Sequence, residues 1–442
     1  MFTNQDLKKM ILPLFMEQLL VMLVGLADTF IISFAGEAAV SGVSLVNMFN
    51  TVFIYLFTAL ASGGAVVISQ YIGRKDSTHA GMSASQLLMF STLFSIVISL
   101  CILINARSIL SLLFGNVEPA VMASCMTYLR ISIYSYPALA VYNAGAAVYR
   151  SFGKTKKTMY ISIGSNIINV IGNCIGIFVL HAGVAGVAYP SLLARIFSAV
   201  VITIMCFDKK NMVYYQIKWI ISWHKDLLKR ILSIAIPNGI ESGIFQLVKV
   251  ALNSIVALFG TYQIAANGVA QSIWSLAALT GISMSPVFIT VIGRVMGDHD
   301  VVQAEMYFKK LLKITIIISI IWNVLILLAM PLILHFYALT EETKQLVFLL
   351  VLIHNVCNAF VFPFSGPLSD GLRATGDVKF TMIVSICSTI FGRFIFSYIL
   401  GIVCNLGVIG IALAMCLDWV IRGCLFYYRF RSKKWQSFRV IS

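Results

Sequence analysis

A chain of 442 residues that is 60% hydrophobic and only 11% charged lacks the polar surface of a soluble domain, in which charged residues approach about a quarter. Its apolar runs are too long for barrel strands and show no alternation, so an all-α polytopic membrane protein is predicted. The net charge of +15 is concentrated in the connections between runs, which makes it topological and argues against a nucleic-acid partner.

Twelve runs follow in chain order at 10–34, 43–71, 82–105, 120–149, 158–180, 184–206, 228–259, 263–293, 308–334, 344–372, 379–403 and 407–428. Each can cross a hydrocarbon core of about 30 Å as a helix. The first run is too long for a signal-peptide core and lacks a small-residue cleavage site, so no cleavable signal is expected. It carries Glu17 and, eleven residues later and on nearly the same helical face, Asp28. An ionisable group inside a span is costly and marks a functional candidate. Glu17 lies nearer the end of the run and reaches water more easily; Asp28 does not.

The fifth run reads Ser162-x-x-x-Asn166-x-x-Asn169-x-x-x-Asn173, a polar stripe on one face. Such a stripe must face protein or water, either as interhelical hydrogen bonding or as a site. Residues 207–226 form the one sizeable connection, with Trp219 and Trp223 among lysines, and read as an interfacial amphipathic linker against anionic lipid. The seventh run holds Glu241 and, about 12 Å further along the helix, Lys249, so each needs a partner from another helix. His354, Asn355 and Asn358 in the tenth run are candidates for lining a cavity. Arg393, Asp418 and Arg422 read as a buried charge network, the last two spaced i, i+4.

The chain is one unit written twice. Pro13/Pro237, Glu17/Glu241, Gly36/Gly260, Gly73/Gly297 and Asp76/Asp300 all stand 224 residues apart. The run Arg150–Ile167 lies over Arg373–Ile390 at an offset of 223, after which Gly183/Gly407 and Gly186/Gly410 return to 224. Six runs per repeat give two parallel, pseudo-symmetric six-helix bundles: 1–206, the linker 207–226, and 227–442 with a short basic tail. Of the 32 Lys and Arg, 25 fall on the side of both termini, and only Arg107 and Lys344 lie opposite. The termini are therefore expected in the cytoplasm of a multi-pass cell-membrane protein.

Two of the candidates break the symmetry. Asp28 has Leu252 as its counterpart, and the stripe of the fifth run becomes Ser385, Thr389, Gly392 and Phe396 in the eleventh. Packing groups should survive in both halves, so the asymmetry favours a polar site in the first. The nine cysteines all lie in apolar runs without a Cys-x-x-Cys, which indicates neither disulfides nor a zinc site. Walker A, dinucleotide-binding and nucleophile-elbow patterns are absent, so neither an enzyme nor a cofactor is expected, and an ion gradient is the expected energy source.

In order and spacing, Leu26-Ala-Asp-Thr-Phe-Ile, Gln70-Tyr-Ile-Gly-Arg-Lys-Asp, Tyr149-Arg-Ser-Phe-Gly-Lys-Thr-Lys, Leu372-Arg-Ala-Thr-Gly-Asp and Gly183-Val-Ala-Gly-Val-Ala-Tyr-Pro-Ser resemble the MATE (multidrug and toxic compound extrusion) family, in its bacterial DinF-like branch. The resemblance implies two lobes in a V around a central cavity, and a polar site about an acid on the first helix, here Asp28. The family's Asn-x-x-x-Asp falls on Asn169 and Asn173, so its second acid is an amide here. Ser191 stands where the family often has Thr, and Asn143 is a looser match. Another branch carries a coupling glutamate on the seventh helix; Glu241 is similar but about one turn early.

The expectation is antiport of amphipathic or cationic small molecules against H⁺ or Na⁺ by a monomer in the bilayer. Asp28, Asn169, Asn173, Ser191 and Glu241 would bind the coupling cation, with Na⁺ at Asp28 as one option. Glu17, Asn143, Asn166, Lys249 and His354 would line the substrate cavity. The rival reading is a flippase for lipid-linked saccharides, which should line its cavity with several cations; only Lys249, Arg393 and Arg195 qualify.

Overall fold

The computed structural model describes residues 2–115, 117–335, 337 and 339–441, and every regular element among them is helical. The chain forms two compact units, Met1–Gly239 and Ile240–Ser442.

The first unit contains α1 (Asn4–Ser33), α2 (Glu37–Gly73), α3 (Ser77–Phe114), α4 (Pro119–Tyr134), α5 (Tyr136–Ser151), α6 (Thr155–Cys174) with a π-helical extension Ile175–Val179, α7 (Ala185–Cys206), the short α8 (Ile217–Ile221) and the start of α9 (Lys225–Val256). The second contains the rest of α9, α10 (Thr261–Ala277), α11 (Leu279–Gly297), α12 (Val301–His335), α13 (Glu341–Phe360), α14 (Phe362–Ser365), α15 (Pro367–Thr375), α16 (Val378–Cys387), α17 (Phe396–Tyr398) and α18 (Gly407–Arg431). Two π-helical stretches, Ser388–Ile395 and Ile399–Val403, flank α17.

Eleven helices among the described residues are long and apolar enough to cross a membrane. The fourth predicted run is the twelfth passage, delivered as two helices. Pro137 cannot donate a backbone N–H and sits in the first turn of α5, so the run breaks at Ser135 between α4 and α5. Pro363 and Pro367 likewise divide the end of the tenth run into α14 and α15. Large apolar side chains lie bare on the outer surface, with Ile104 80% and Leu112 86% exposed. A soluble fold seldom tolerates such surfaces, whereas lipid demands them.

Local chemistry explains the start of several helices. Thr3 accepts from the Asp6 amide at 3.1 Å while its own N–H donates to Asp6 Oδ2 at 2.9 Å, a reciprocal cap on α1. Asp76 caps α3 by accepting from the His79 amide at 3.0 Å, and Asp300 accepts from the Gln303 amide at 2.8 Å at the head of α12. The duplicated aspartates are therefore duplicated caps. The repeat extends to backbone conformation: Gly183, just ahead of α7, and Gly407, which opens α18, both have φ +56°.

Because lipid is as apolar as leucine, helices in a membrane associate through close packing and hydrogen bonds. Each unit brings the helices of its fifth and sixth passages together through glycine. A Cβ on Gly176 would stand 2.1 Å from the Gly186 carbonyl oxygen, and one on Gly410 would stand 2.5 Å from the Leu400 carbonyl carbon.

The predicted linker 207–226 is docked rather than loose. Val213 and Tyr215 are buried, and Trp219 packs where Gly81 leaves room. Buried Gln86 of α3 donates to the carbonyls of Trp219 (2.5 Å) and Ser222 (2.6 Å) and accepts from the His224 amide (3.1 Å). Asn238 of α9 then donates to Ser62 at 3.4 Å. The first unit accordingly runs to Gly239, past both boundaries expected at 206 and 226.

Candidate functional site

Four predicted residues from three helices converge in the first unit. Asp28 projects from α1, Asn169 and Asn173 from α6, and Ser191 from α7. The Asn173 amide donates to Asp28 Oδ1 at 2.6 Å and to Asn169 Oδ1 at 3.2 Å, and the Asn169 amide donates to Ser191 Oγ at 2.9 Å. The i, i+4 spacing of the asparagines on α6 lets one amide hand to the next. The polar stripe is thus a hydrogen-bonded chain ending on the lone acid.

Asp28 is half-buried, whereas Asn169 and Asn173 are buried. Among the described residues no ion pair forms at Asp28. Arg195, one turn past Ser191, is near enough for its charge to act on Asp28, but its guanidinium donates to Ser135 Oγ at 2.6 Å. Asn173 Oδ1 is buried without a hydrogen-bond partner, as is the Asn166 amide nitrogen. An unmatched buried acceptor beside a carboxylate is costly unless something binds it. That oxygen and the Asp28 carboxylate together offer hard ligands to a small cation or a seat for a proton.

The other predicted residues are placed differently. Glu17, expected in the substrate cavity, is buried in a clamp: Arg150 of α5 donates at 2.7 Å, Thr158 of α6 at 3.0 Å and Tyr142 at 3.4 Å. Glu241, expected beside the coupling cation, is its counterpart. Arg373 of α15 donates to both its oxygens, at 2.7 and 2.6 Å, and also to Asp370 at 2.9 Å; Ser285 donates to the other oxygen of Asp370. Both glutamates thus tie the first helix of their repeat to the fourth passage.

His354, also expected in the cavity, is packed. Its ring stacks on Trp274 at 5.1 Å, meets Trp419 edge-on at 5.2 Å, and bonds Asn355 Oδ1 through Nδ1 at 3.1 Å. Lys249 is exposed on α9, and Asn143 lies half-buried on α5 outside the Asp28 chain. Asp418 receives Arg422 at 2.7 Å and Ser388 at 2.5 Å, with Arg393 at 3.4 Å. Arg393 also covers the Phe245 ring at 4.9 Å.

Sequence reasoning missed Arg150 and Arg373 as partners, crediting them only to the charge bias of the connections. The signal was present: Glu17/Glu241 and Arg150/Arg373 recur together in the repeat. Asp370 and the Asp377–Arg429 pair, at 2.6 Å, went unremarked because they lie at passage ends, where charges are ordinary.

The MatE family model matches this chain twice, over residues 13–175 and 237–399. The sequence is 26% identical to the uncharacterized transporter YisQ of Bacillus subtilis, covering 96% of this chain and 93% of that protein. It is 25% identical to the probable multidrug resistance protein NorM of Thermotoga maritima, covering 99% and 94%. Against multidrug and toxin extrusion protein 1 of Oryctolagus cuniculus it is 23% identical over 94% of this chain and 72% of that one. The fold superposes on a crystal structure of MATE in complex with MaL6 with a TM-score of 0.90 at 20% identity, covering 97% and 95%.

Proposed function

The chain belongs to the MatE family, which comprises membrane transporters and not enzymes, and on that premise we propose that it exports amphipathic or cationic small molecules in exchange for H⁺ or Na⁺. The observation that carries this reading is the chain Ser191–Asn169–Asn173–Asp28, which ends on an acid that forms no ion pair among the described residues, beside an unmatched Asn173 oxygen. A cation loaded there binds Asp28 and draws on the Asn173 carbonyl. That rearranges the link between α1 and α6, which the 2.6 Å hydrogen bond now holds. Coupling requires only that the ion and the substrate favour different arrangements of that link. Multidrug names among the relatives support the substrate class. The Arg373 clamp on Glu241 favours the DinF-like branch over the branch to which the resemblance assigns a coupling glutamate on the seventh helix. The distribution of Lys and Arg supports cytoplasmic termini.

The test is dye efflux from proteoliposomes under an imposed pH or Na⁺ gradient, using a fluorescent lipophilic cation. Asp28→Asn should abolish gradient-driven efflux. Asn173→Ala should raise the Na⁺ concentration needed for half-maximal Na⁺-driven efflux, because it removes the unmatched Oδ1 ligand beside Asp28. Unaltered gradient-driven efflux in Asp28→Asn would remove this acid from the mechanism.

A further inference from the structure

Away from the Asp28 site, the first unit carries a cavity of about 480 Å³ where the docked linker meets the start of α9. Its walls include Tyr71, His79, Trp223, His224, Lys225 and Arg230. We propose that this cavity binds the phosphodiester headgroup of an anionic phospholipid in the cytoplasmic leaflet.

Four observations meet there. The first is charge: Lys225 is exposed and Arg230 half-buried, with Asp226 the acid among the lining residues. The lining therefore carries two cations against one acid. The second is rigidity. Arg230 donates to the Tyr71 hydroxyl at 2.7 Å, and Tyr71 stacks on His79 with ring centres 5.4 Å apart. The Ser222 hydroxyl and His224 Nε2 are hydrogen-bonded at 2.9 Å. Gln86 fixes the Trp219 and Ser222 carbonyls and the His224 amide, so the cavity wall is preformed and binding need not order it.

The third is position. Beside the cavity, α8 turns Ile217 and Ile221 outward, 65% and 80% exposed, and Trp223 is exposed at its mouth. Exposed isoleucines on a short helix next to an exposed tryptophan suit acyl chains and the headgroup boundary, not bulk water. The fourth is size. A volume of about 480 Å³ falls within the about 300–1,000 Å³ common for small-molecule sites and suits a glycerol phosphate with its first methylenes. A diffusible phosphate would use the cations but leave the apolar rim uncovered, which favours the lipid.

Assignment to the cytoplasmic leaflet rests on the orientation proposed above, whereas binding to purified protein does not depend on orientation. Native mass spectrometry of the full chain, in micelles doped with phosphatidylglycerol or with phosphatidylcholine of matched chains, tests the site. Wild type should retain phosphatidylglycerol in preference. Arg230→Gln and Lys225→Gln should each weaken that binding about fivefold, in line with the contribution of a single cation near an anionic surface. Arg431→Gln, an equal charge loss on the exposed end of α18, should leave it unchanged. Lys225 is exposed, so its variant folds even where Arg230→Gln does not. Equal retention of the two lipids, or equal behaviour of Lys225→Gln and Arg431→Gln, overturns the proposal. Displacement of the lipid by millimolar inorganic phosphate alone also overturns it, in favour of a soluble anion.

Discussion

The two glutamate clamps look equivalent, but their surroundings predict unequal responses to the same substitution. In the first unit the Glu17 side chain is 4% exposed and faces Arg150, which is 24% exposed, across 2.7 Å. In the second, Arg373 holds Glu241 and a further carboxylate, Asp370, at 2.9 Å. Replacing Glu17 by Gln preserves shape and removes the charge. Breaking a buried pair in this way costs about 3–5 kcal/mol, and the partial exposure of Arg150 places the loss near 3. Glu241→Gln leaves Arg373 paired with Asp370, so the loss falls to about 1.5–2, the worth of one charge-assisted hydrogen bond. At about 2–4 °C per kcal/mol for units of this size, Glu17→Gln should lower the melting temperature by roughly 6–12 °C and Glu241→Gln by about half as much. Melting followed by thiol-reactive dye in detergent reads this directly, because the free cysteines include buried Cys125, Cys206 and Cys416. Adding Asp370→Asn to Glu241→Gln should restore the full loss. A double-mutant cycle of Glu17→Gln with Arg150→Gln should show coupling above about 1 kcal/mol. Equal effects of the two single glutamate substitutions, or an additive cycle, would refute the account.

Gly176→Ala should destabilise the first unit by about 1–3 kcal/mol through overpacking, because its Cβ would meet the Gly186 carbonyl oxygen; the same melting assay reads it, and a neutral result would show that α7 can move away. Asp76→Ala removes the cap on α3 and should cost about 1 kcal/mol at neutral pH. Burial raises the Asp76 pKa, but hydrogen bonds from the His79 amide and ring outweigh it and leave the carboxyl below its ordinary value. The stabilisation is therefore present above the usual carboxylate range and lost as pH falls through the depressed value, so wild type and variant should converge in acid. His354→Phe should keep dye efflux within about twofold of wild type, since an aromatic ring between Trp274 and Trp419 preserves the stack; a large loss would return His354 to the transport path.

Much of this molecule was legible in the sequence because lipid imposes a one-dimensional rule: a span must be a long apolar helix that satisfies its own backbone. The passages, their duplication, the recurring aspartates and the asymmetric polar face of the fifth passage were readable along the chain, whereas the capping role of Asp76 and Asp300 came with the structure. The stripe put Asn169 and Asn173 on one face that lipid cannot accept, Ser191 entered only through the family resemblance, and the packed structure sets all three about Asp28. Helical spacing, however, says which face a side chain occupies and not what stands opposite. Only the packed structure decided that Glu17 and Glu241 face arginines more than 130 residues away, whereas Asp28 forms no ion pair among the described residues, and that His354 lies between two tryptophans. It also decided that Gln86 fastens the connecting segment to α3. Such pairings depend on how helices lie against one another, and a buried charge is structural or functional according to the partner that tertiary packing supplies.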